Sequence, residues 1–312
     1  MGRVHAEWMN AAGIECAAVC DSDPRRIEAA ARDFPGISTY TDYRELLARP
    51  DIELVVVILP HNLHAEVSVD CSRAGKHVIV EKPMCLGAAE ADRMIAAAEE
   101  AGKMLSVFHN RRWDSDFMQI RELIQQGMIG DVVHIEVHNG SFGHPGTWWR
   151  SIKEISGGIL FDWGAHMVDW TFGLVGSEID TVWGNLYRGV WPDVTNEDHG
   201  QMILKFKNGA TADIQISQLS SVPKPKWRIL GTKGGITADW GTAITVKVDH
   251  EGHLASFQVP LGKDRWQGYY DNIADHLMRG QDLAVKAAEA RRNIAVIEAA
   301  ERSANTGLTE KL

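Results

Sequence analysis

Leu54-Val55-Val56-Val57-Ile58-Leu59, running straight into Pro60-His61-Asn62-Leu63-His64, is the stretch on which the fold turns. Its six apolar residues are mostly β-branched and do not alternate with polar ones, the pattern of a strand buried on both faces, as in a parallel sheet. Downstream, Asn62 opens a helix to Ala74 that Gly75 stops. His77–Val80 reads as another buried strand, Gly87–Ala101 as a helix closed by Gly102, and Met104–Phe108 as a strand. Upstream, Asp42–Ala48 reads as a short helix. Asp23-Pro24, an N-cap followed by proline at the first helical position, opens a helix to Asp33. Ile14–Cys20 reads as a strand ending at Asp21, preceded by a helix from His5 to Gly13. Strands and helices alternating with short links imply a doubly wound parallel sheet.

The pattern changes near residue 110. A helix over Asp116–Gln126, a strand over Val132–His138 and a helix over Leu160–Leu174 come first. Long alternating runs then dominate: Gln201–Lys207 and Ala210–Ser217 flank Asn208-Gly209, a hairpin signal, and Glu251-Gly252 separates two more. Asp271–Met278 and Ala284–Ser303 read as helices. Of the 11 tryptophans only Trp8 precedes residue 110, which supports a boundary there. The expectation is α/β followed by α+β. Residues 1–109 are expected to form the doubly wound unit and 110–283 a mainly antiparallel α+β unit. The last helix, about 284–305, packs back near the first unit.

Composition narrows the classes. The chain has 312 residues, 45% of them apolar and 24% charged, with 32 basic against 42 acidic residues and a net charge of −10. An acidic chain lacks the basic face that a phosphate backbone requires, so no nucleic-acid partner is expected. The longest apolar run, Leu54 to Pro60, is far short of the roughly 18 residues of a membrane span, and no signal peptide is expected. Cys16 and Cys20, four apart in an expected strand, would stand roughly 13 Å apart, too far for a disulfide. Reduced thiols point to the cytoplasm. His134 and His138 fail the same distance test as joint metal ligands, and no metal is expected.

Four places carry chemistry. Asp21 stands 19 residues after Gly2, at a strand end. An acid about 20 residues beyond a glycine fingerprint bonds the adenosine ribose, which favours NAD, while Arg25 and Arg26 keep NADP open. The plain alternative is a turn residue. Gly2 is all that remains of that fingerprint, so a first strand and most of its turn, roughly 10 to 15 residues, are expected to be missing. Pro60-His61-Asn62 and Glu81-Lys82-Pro83 both follow strands, where doubly wound sheets bind ligands. Lys82 could there bond a substrate hydroxyl and stabilise a developing alkoxide. Asp162, His166 and Asp169 fall at i, i+4 and i+7 on an otherwise apolar helix. Such a stripe is costly unless it meets partners or a wet cleft. His166 is the natural proton carrier near neutral pH, and Asp162 could orient it or the substrate. The alternative is a satisfied internal hydrogen-bond network.

The ordered series Val19-Cys20-Asp21-Ser22-Asp23-Pro24, Leu59-Pro60-His61-Asn62-Leu63-His64, Glu81-Lys82-Pro83, Asn110-Arg111-Arg112, Trp149-Arg150 and Gly157-Gly158 leading to Asp162-Trp163-Gly164-Ala165-His166 resembles the Gfo/Idh/MocA family of nicotinamide-dependent oxidoreductases. The resemblance runs from Gly2 to about residue 310. It implies a Rossmann domain followed by an open-faced sheet domain, with NAD, or NADP, in the cleft. It implies Lys82, Asp162 and His166 as the catalytic group, with Trp149 beside them at the substrate. Gly2, Asp21, Ser22, Pro60, His61, Asn62, His64, Glu81, Pro83, Asn110 and Arg150 would line the cofactor. The expected reaction is hydride transfer between a secondary alcohol of a sugar, polyol or related derivative, a carbohydrate-like small molecule, and the nicotinamide. The expected assembly is a homo-oligomer, dimer or tetramer. Two rivals remain: an NAD-dependent glycosidase of the same fold, and a non-catalytic NAD- or sugar-binding protein.

Overall fold

A computed structural model describes residues 1–312. The chain enters on α1 (Gly2–Ala11) and runs through β1 (Ala18–Cys20), α2 (Pro24–Asp33), β2 (Ser38–Tyr40) and α3 (Tyr43–Leu47). Then come β3 (Leu54–Val57), α4 (His64–Arg73), β4 (His77–Val80), α5 (Ala88–Glu100) and β5 (Leu105–Val107). β1 pairs with β2, and β3 with β4 with β5, all parallel. No ladder joins β1 to β3, so the parallel unit is two ribbons rather than one continuous sheet. Val78, Ile79 and Val80 of the middle strand are fully buried, as a strand covered on both faces requires.

The strand expected from Ile14 forms only over its last three residues. The Ile14 amide donates to the Met9 carbonyl at 2.9 Å, and the Cys16 amide to Asn10 Oδ1 at 3.0 Å. Those residues are spent on finishing α1 and are not free to pair. Asp23 caps α2 as expected, its carboxylate accepting the Arg25 amide at 3.0 Å.

The second half begins with α6 (Ser115–Gln125), β6 (Val132–Gly140), α7 (Lys153–Ser156) and α8 (Ala165–Val175). Seven strands follow: β7 (Ile179–Tyr187), β8 (His199–Phe206), β9 (Thr211–Ser217), β10 (Trp227–Gly231), β11 (Gly234–Ala238), β12 (Ile244–His250) and β13 (His253–Val259). The chain closes with α9 (Gln267–Arg279), α10 (Ala287–Thr306) and β14 (Glu310–Lys311). One nine-stranded sheet results, in the order β13-β12-β11-β10-β6-β9-β8-β7-β14. Every neighbouring pair is antiparallel except β6 with β9, which is parallel. Glu251 and Gly252, at φ 52° and 81°, make the two-residue turn between β12 and β13.

Alternation decides which face is covered. Ile135, Val137, Met202, Leu204, Ala212 and Ile214 are buried on the helix-covered face. His134, Glu136, Gln201, Asp213 and Gln215 lie on the opposite face, which no helix covers. α10 packs against α5 and β5 on one side and against β7 and α8 on the other, so it ties the two units together. No helix is long and apolar enough to cross a membrane.

Candidate active site

The carboxyl ends of β3, β4 and β5 lie level, because Val57, Val80 and Val107 stand in register. Just past them come Pro60-His61, Glu81-Lys82 and His109-Asn110. Lys82 reaches across to the turn before α8 in the second half of the chain. Its Nζ donates to Asp162 Oδ1 at 2.6 Å and to the Asp162 carbonyl at 3.0 Å. Arg150 Nη1 donates to the same Oδ1 at 2.8 Å. Burial pushes the Asp162 carboxyl up, but the Lys82 and Arg150 cations outweigh it and hold it at about 2. Asp162 is therefore an anion at any ordinary pH. Its Oδ2 has no protein partner, and the side chain is 31% exposed, so one acceptor oxygen stays free.

Backbone chemistry explains how Asp162 gets there. Gly157 and Gly158 adopt φ of 86° and 107°, a region that side chains rarely enter. A Cβ on Gly158 would press into the Glu197 carboxylate, which accepts the Ile159 amide at 3.0 Å. The chain then makes a π-helical turn, Leu160–Gly164, before settling into α8. This wider turn breaks the 3.6-residue spacing, so the expected stripe of Asp162, His166 and Asp169 does not form one face. Asp162 makes no hydrogen bond to His166 and does not orient it.

His166 is 3% exposed and has no hydrogen-bond partner in the protein. Its ring lies among those of His109 at 5.7 Å, Trp163 at 6.0 Å and Trp170 at 6.3 Å. Burial drives its pKa well below the ordinary histidine value, and Lys82 adds to the effect. The expectation of a group titrating near neutrality is thus corrected: His166 is a neutral imidazole with a lone pair. Asp169 has left the site. It takes Arg112 on both oxygens, at 2.6 and 2.7 Å, and Asn293 of α10 at 3.1 Å.

The other expected residues divide. His64 is fully buried, with ring nitrogens 2.8 and 2.9 Å from the Pro83 and Leu59 carbonyls. It joins two strand-end loops and has no surface left for a ligand. His61 is also buried, Nδ1 2.8 Å from the Ser156 carbonyl and Nε2 3.2 Å from Arg150. Burial pulls its pKa to about 3, so a neutral ring with its proton on Nδ1 satisfies both contacts and supports Arg150. Pro83 is buried, and Glu81 is turned inward onto His5 at 3.0 Å. These four shape the cleft from behind. Gly2, Asp21, Ser22, Pro60, Asn62, Asn110, Trp149 and Arg150 keep solvent access. Trp149 lies edge-on to the His61 ring at 4.8 Å, under the Arg150 guanidinium at 4.5 Å. The reading from sequence missed His5, Tyr270 and His109. His109 alone carried a signal, as a polar residue at a strand's carboxyl end.

The residues present fit a dinucleotide at both ends. Asp21 follows β1, with Oδ1 on the Asp23 amide at 2.9 Å and Oδ2 only 3.3 Å from exposed Arg26. That leaves acceptor capacity for ribose hydroxyls. α1 starts at Gly2 with no side chain capping its first turn, and free amides there suit a phosphate. A neutral imidazole, a lysine and a free carboxylate oxygen gather at the other end. Parallel ribbons with such a crevice, beside an open sheet, define a dinucleotide-dependent oxidoreductase.

Comparison with known proteins agrees. The oxidoreductase-family model with an NAD-binding Rossmann fold, GFO/IDH/MocA, matches residues 1–109, and the C-terminal domain model of that family matches 117–237. The scyllo-inositol 2-dehydrogenase (NADP(+)) of Bacillus subtilis is 30% identical over 308 residues, covering 89% of this chain and 84% of that protein. The myo-inositol 2-dehydrogenase of Thermotoga maritima is 26% identical, covering 100% and 96%. The crystal structure of an NAD-binding protein from Listeria innocua superposes with a TM-score of 0.90 at 29% identity, covering 100% and 94%. The chain belongs to the Gfo/Idh/MocA family of NAD-binding oxidoreductases.

Proposed function

We propose that this protein interconverts a secondary alcohol of a sugar, polyol or cyclitol and the corresponding ketone, using NAD or NADP. The observation that carries the reading is a neutral, unpartnered His166 beside a Lys82–Asp162 ion pair at the strand carboxyl ends. Lys82 Nζ donates a hydrogen bond to the reacting oxygen and stabilises negative charge there as the O–H bond opens. His166 accepts the hydroxyl proton at a ring nitrogen. Asp162 Oδ1 fixes Lys82 and Arg150, and Oδ2 accepts a neighbouring substrate hydroxyl. Nicotinamide, when bound, supplies the hydride acceptor or donor. Asp21, Ser22, Asn62 and Asn110 hold the cofactor from the strand ends. The two inositol dehydrogenases above support a polyhydroxylated ring as substrate.

We further assign residues 1–109 to the cofactor and 110–283 to substrate and assembly. The open polar sheet face supports a homo-oligomer, dimer or tetramer. Four free cysteines fit a reducing cytoplasm. The test is a polyol panel with NAD and NADP, followed at 340 nm, with Lys82→Ala as control. Alcohol-dependent reduction that the variant loses by orders of magnitude is expected. No reduction with any polyol, sugar or sugar acid would overturn the reading.

A further inference from the structure

Lys82 is held at both ends. Its ammonium sits on Asp162, and its backbone amide donates to Glu81 Oε2 at 3.0 Å. Glu81 Oε1 lies 3.0 Å from His5 Nε2, and His5 Nδ1 lies 2.6 Å from the Tyr270 hydroxyl. The chain of contacts joins α1, the end of β4 and α9. Its two rings are sealed from solvent, His5 at 1% and Tyr270 at 0% exposed, and Glu81 is mostly covered. The His5 ring packs against Phe108 at 4.4 Å. Burial pushes the Glu81 carboxyl up, yet His5 and Lys82 pull it down further, so it stays ionised. An ionised Glu81 accepts a hydrogen bond from His5 Nε2–H. Nδ1 then accepts from the Tyr270 hydroxyl, whose proton burial holds firmly. One protonation pattern satisfies every atom.

Packing alone does not call for this arrangement. A buried ionic cluster is commonly no more stable than apolar side chains of the same size. The cluster also holds the residue next to it, through the Lys82 amide. We propose that His5 and Glu81 are positioning residues for Lys82: His5 orients Glu81, and Glu81 pins the Lys82 backbone so that its ammonium lands on Asp162. The inference rests on Lys82 acting at the reacting oxygen, and it reaches further. α1, whose first turn suits the cofactor phosphates, is thereby linked to the lysine through one imidazole.

The test compares His5→Leu with His5→Gln, whose amide can still donate to Glu81. Free protein is pulsed with limiting acetic anhydride, and acetylation is read by peptide mass spectrometry. Lys76 and Lys226, both buried, serve as internal references. In His5→Leu, Lys82 should acetylate several-fold faster while the references keep their rates. kcat should fall about ten- to hundredfold with KM little changed, the expected cost of a displacement on the order of 1 Å. His5→Gln should restore most of both. An unchanged Lys82 rate, or three lysines rising together, would overturn the proposal. Should His5→Leu not fold, Glu81→Gln keeps the shape, removes the charge and is read the same way. A selective Lys82 response in a protein that reduces no cofactor would sink the dehydrogenase reading and leave the positioning role standing.

Discussion

Lowering the pH from about 7.5 to about 5 should strip this protein of much of its stability. His61 and His109 are buried as neutral rings, with pKa values pulled to about 3 and about 4 by burial. Unfolding frees both to take a proton near the ordinary value of about 6.5. Between those limits the unfolded chain binds more protons than the folded one, so stability falls as pH falls. At about pH 5 each ring costs ~2 kcal/mol and the pair ~4 kcal/mol, against a usual total of about 5–15 kcal/mol. His64 and His166, also lowered by burial, add in the same direction. Asp162 and Asp169, held at about 2, have the opposite sign: their contribution is present above the ordinary carboxylate value and lost only as pH falls towards 2. Asp114 and Glu301, raised by burial, oppose the loss within the carboxylate range. Urea unfolding followed by tryptophan fluorescence at constant ionic strength measures the difference. A loss of about 4 kcal/mol or more is expected, smaller by about 2 in His109→Gln. Equal stability at the two pH values, within about 1 kcal/mol, would refute the neutral burial of these rings.

Three further outcomes can be checked. Asp162→Asn removes the anion shared by Lys82 and Arg150, and should cut kcat/KM by about 10²–10³ with the fold intact; a near-normal value in steady-state kinetics would contradict the assigned role. Asp21→Ala should weaken NAD binding about tenfold, the worth of a charge-assisted hydrogen bond pair, and spare NADP; fluorescence titration of both cofactors decides. Gly184→Ala should destabilise by about 3 kcal/mol, because the added Cβ would drive into the Ala300 carbonyl of α10; thermal unfolding reads it directly.

Reach along the chain separates what could be read in the sequence from what could not. Leu54–Leu59 and His77–Val80 were plain, because a strand buried on both faces writes its environment into consecutive residues. β2, Ser38-Thr39-Tyr40, carries a hydroxyl on every residue and no apolar run to mark it. Lys82, Asp162 and His166 stood out by type and place, yet their relations did not. The stripe presumed a uniform helix, and the π turn that breaks it depends on Gly157, Gly158 and Glu197 meeting in three dimensions. His5 left no trace because its partners lie 76 and 265 residues away.

Asp169 has a consequence for how the molecule is made. The helix that carries His166 is anchored on its other side by Arg112 and by Asn293 of α10. Until the ribosome has delivered residue 293, the Asp169 carboxylate lacks one of its donors and the His166 helix lacks one of the elements it packs against. The parallel unit can collapse early from local segments, but the His166 helix completes its contacts only when almost the whole chain is present. A nascent chain stalled before α10 would leave one side of that apolar helix uncovered and open to chaperones and proteases.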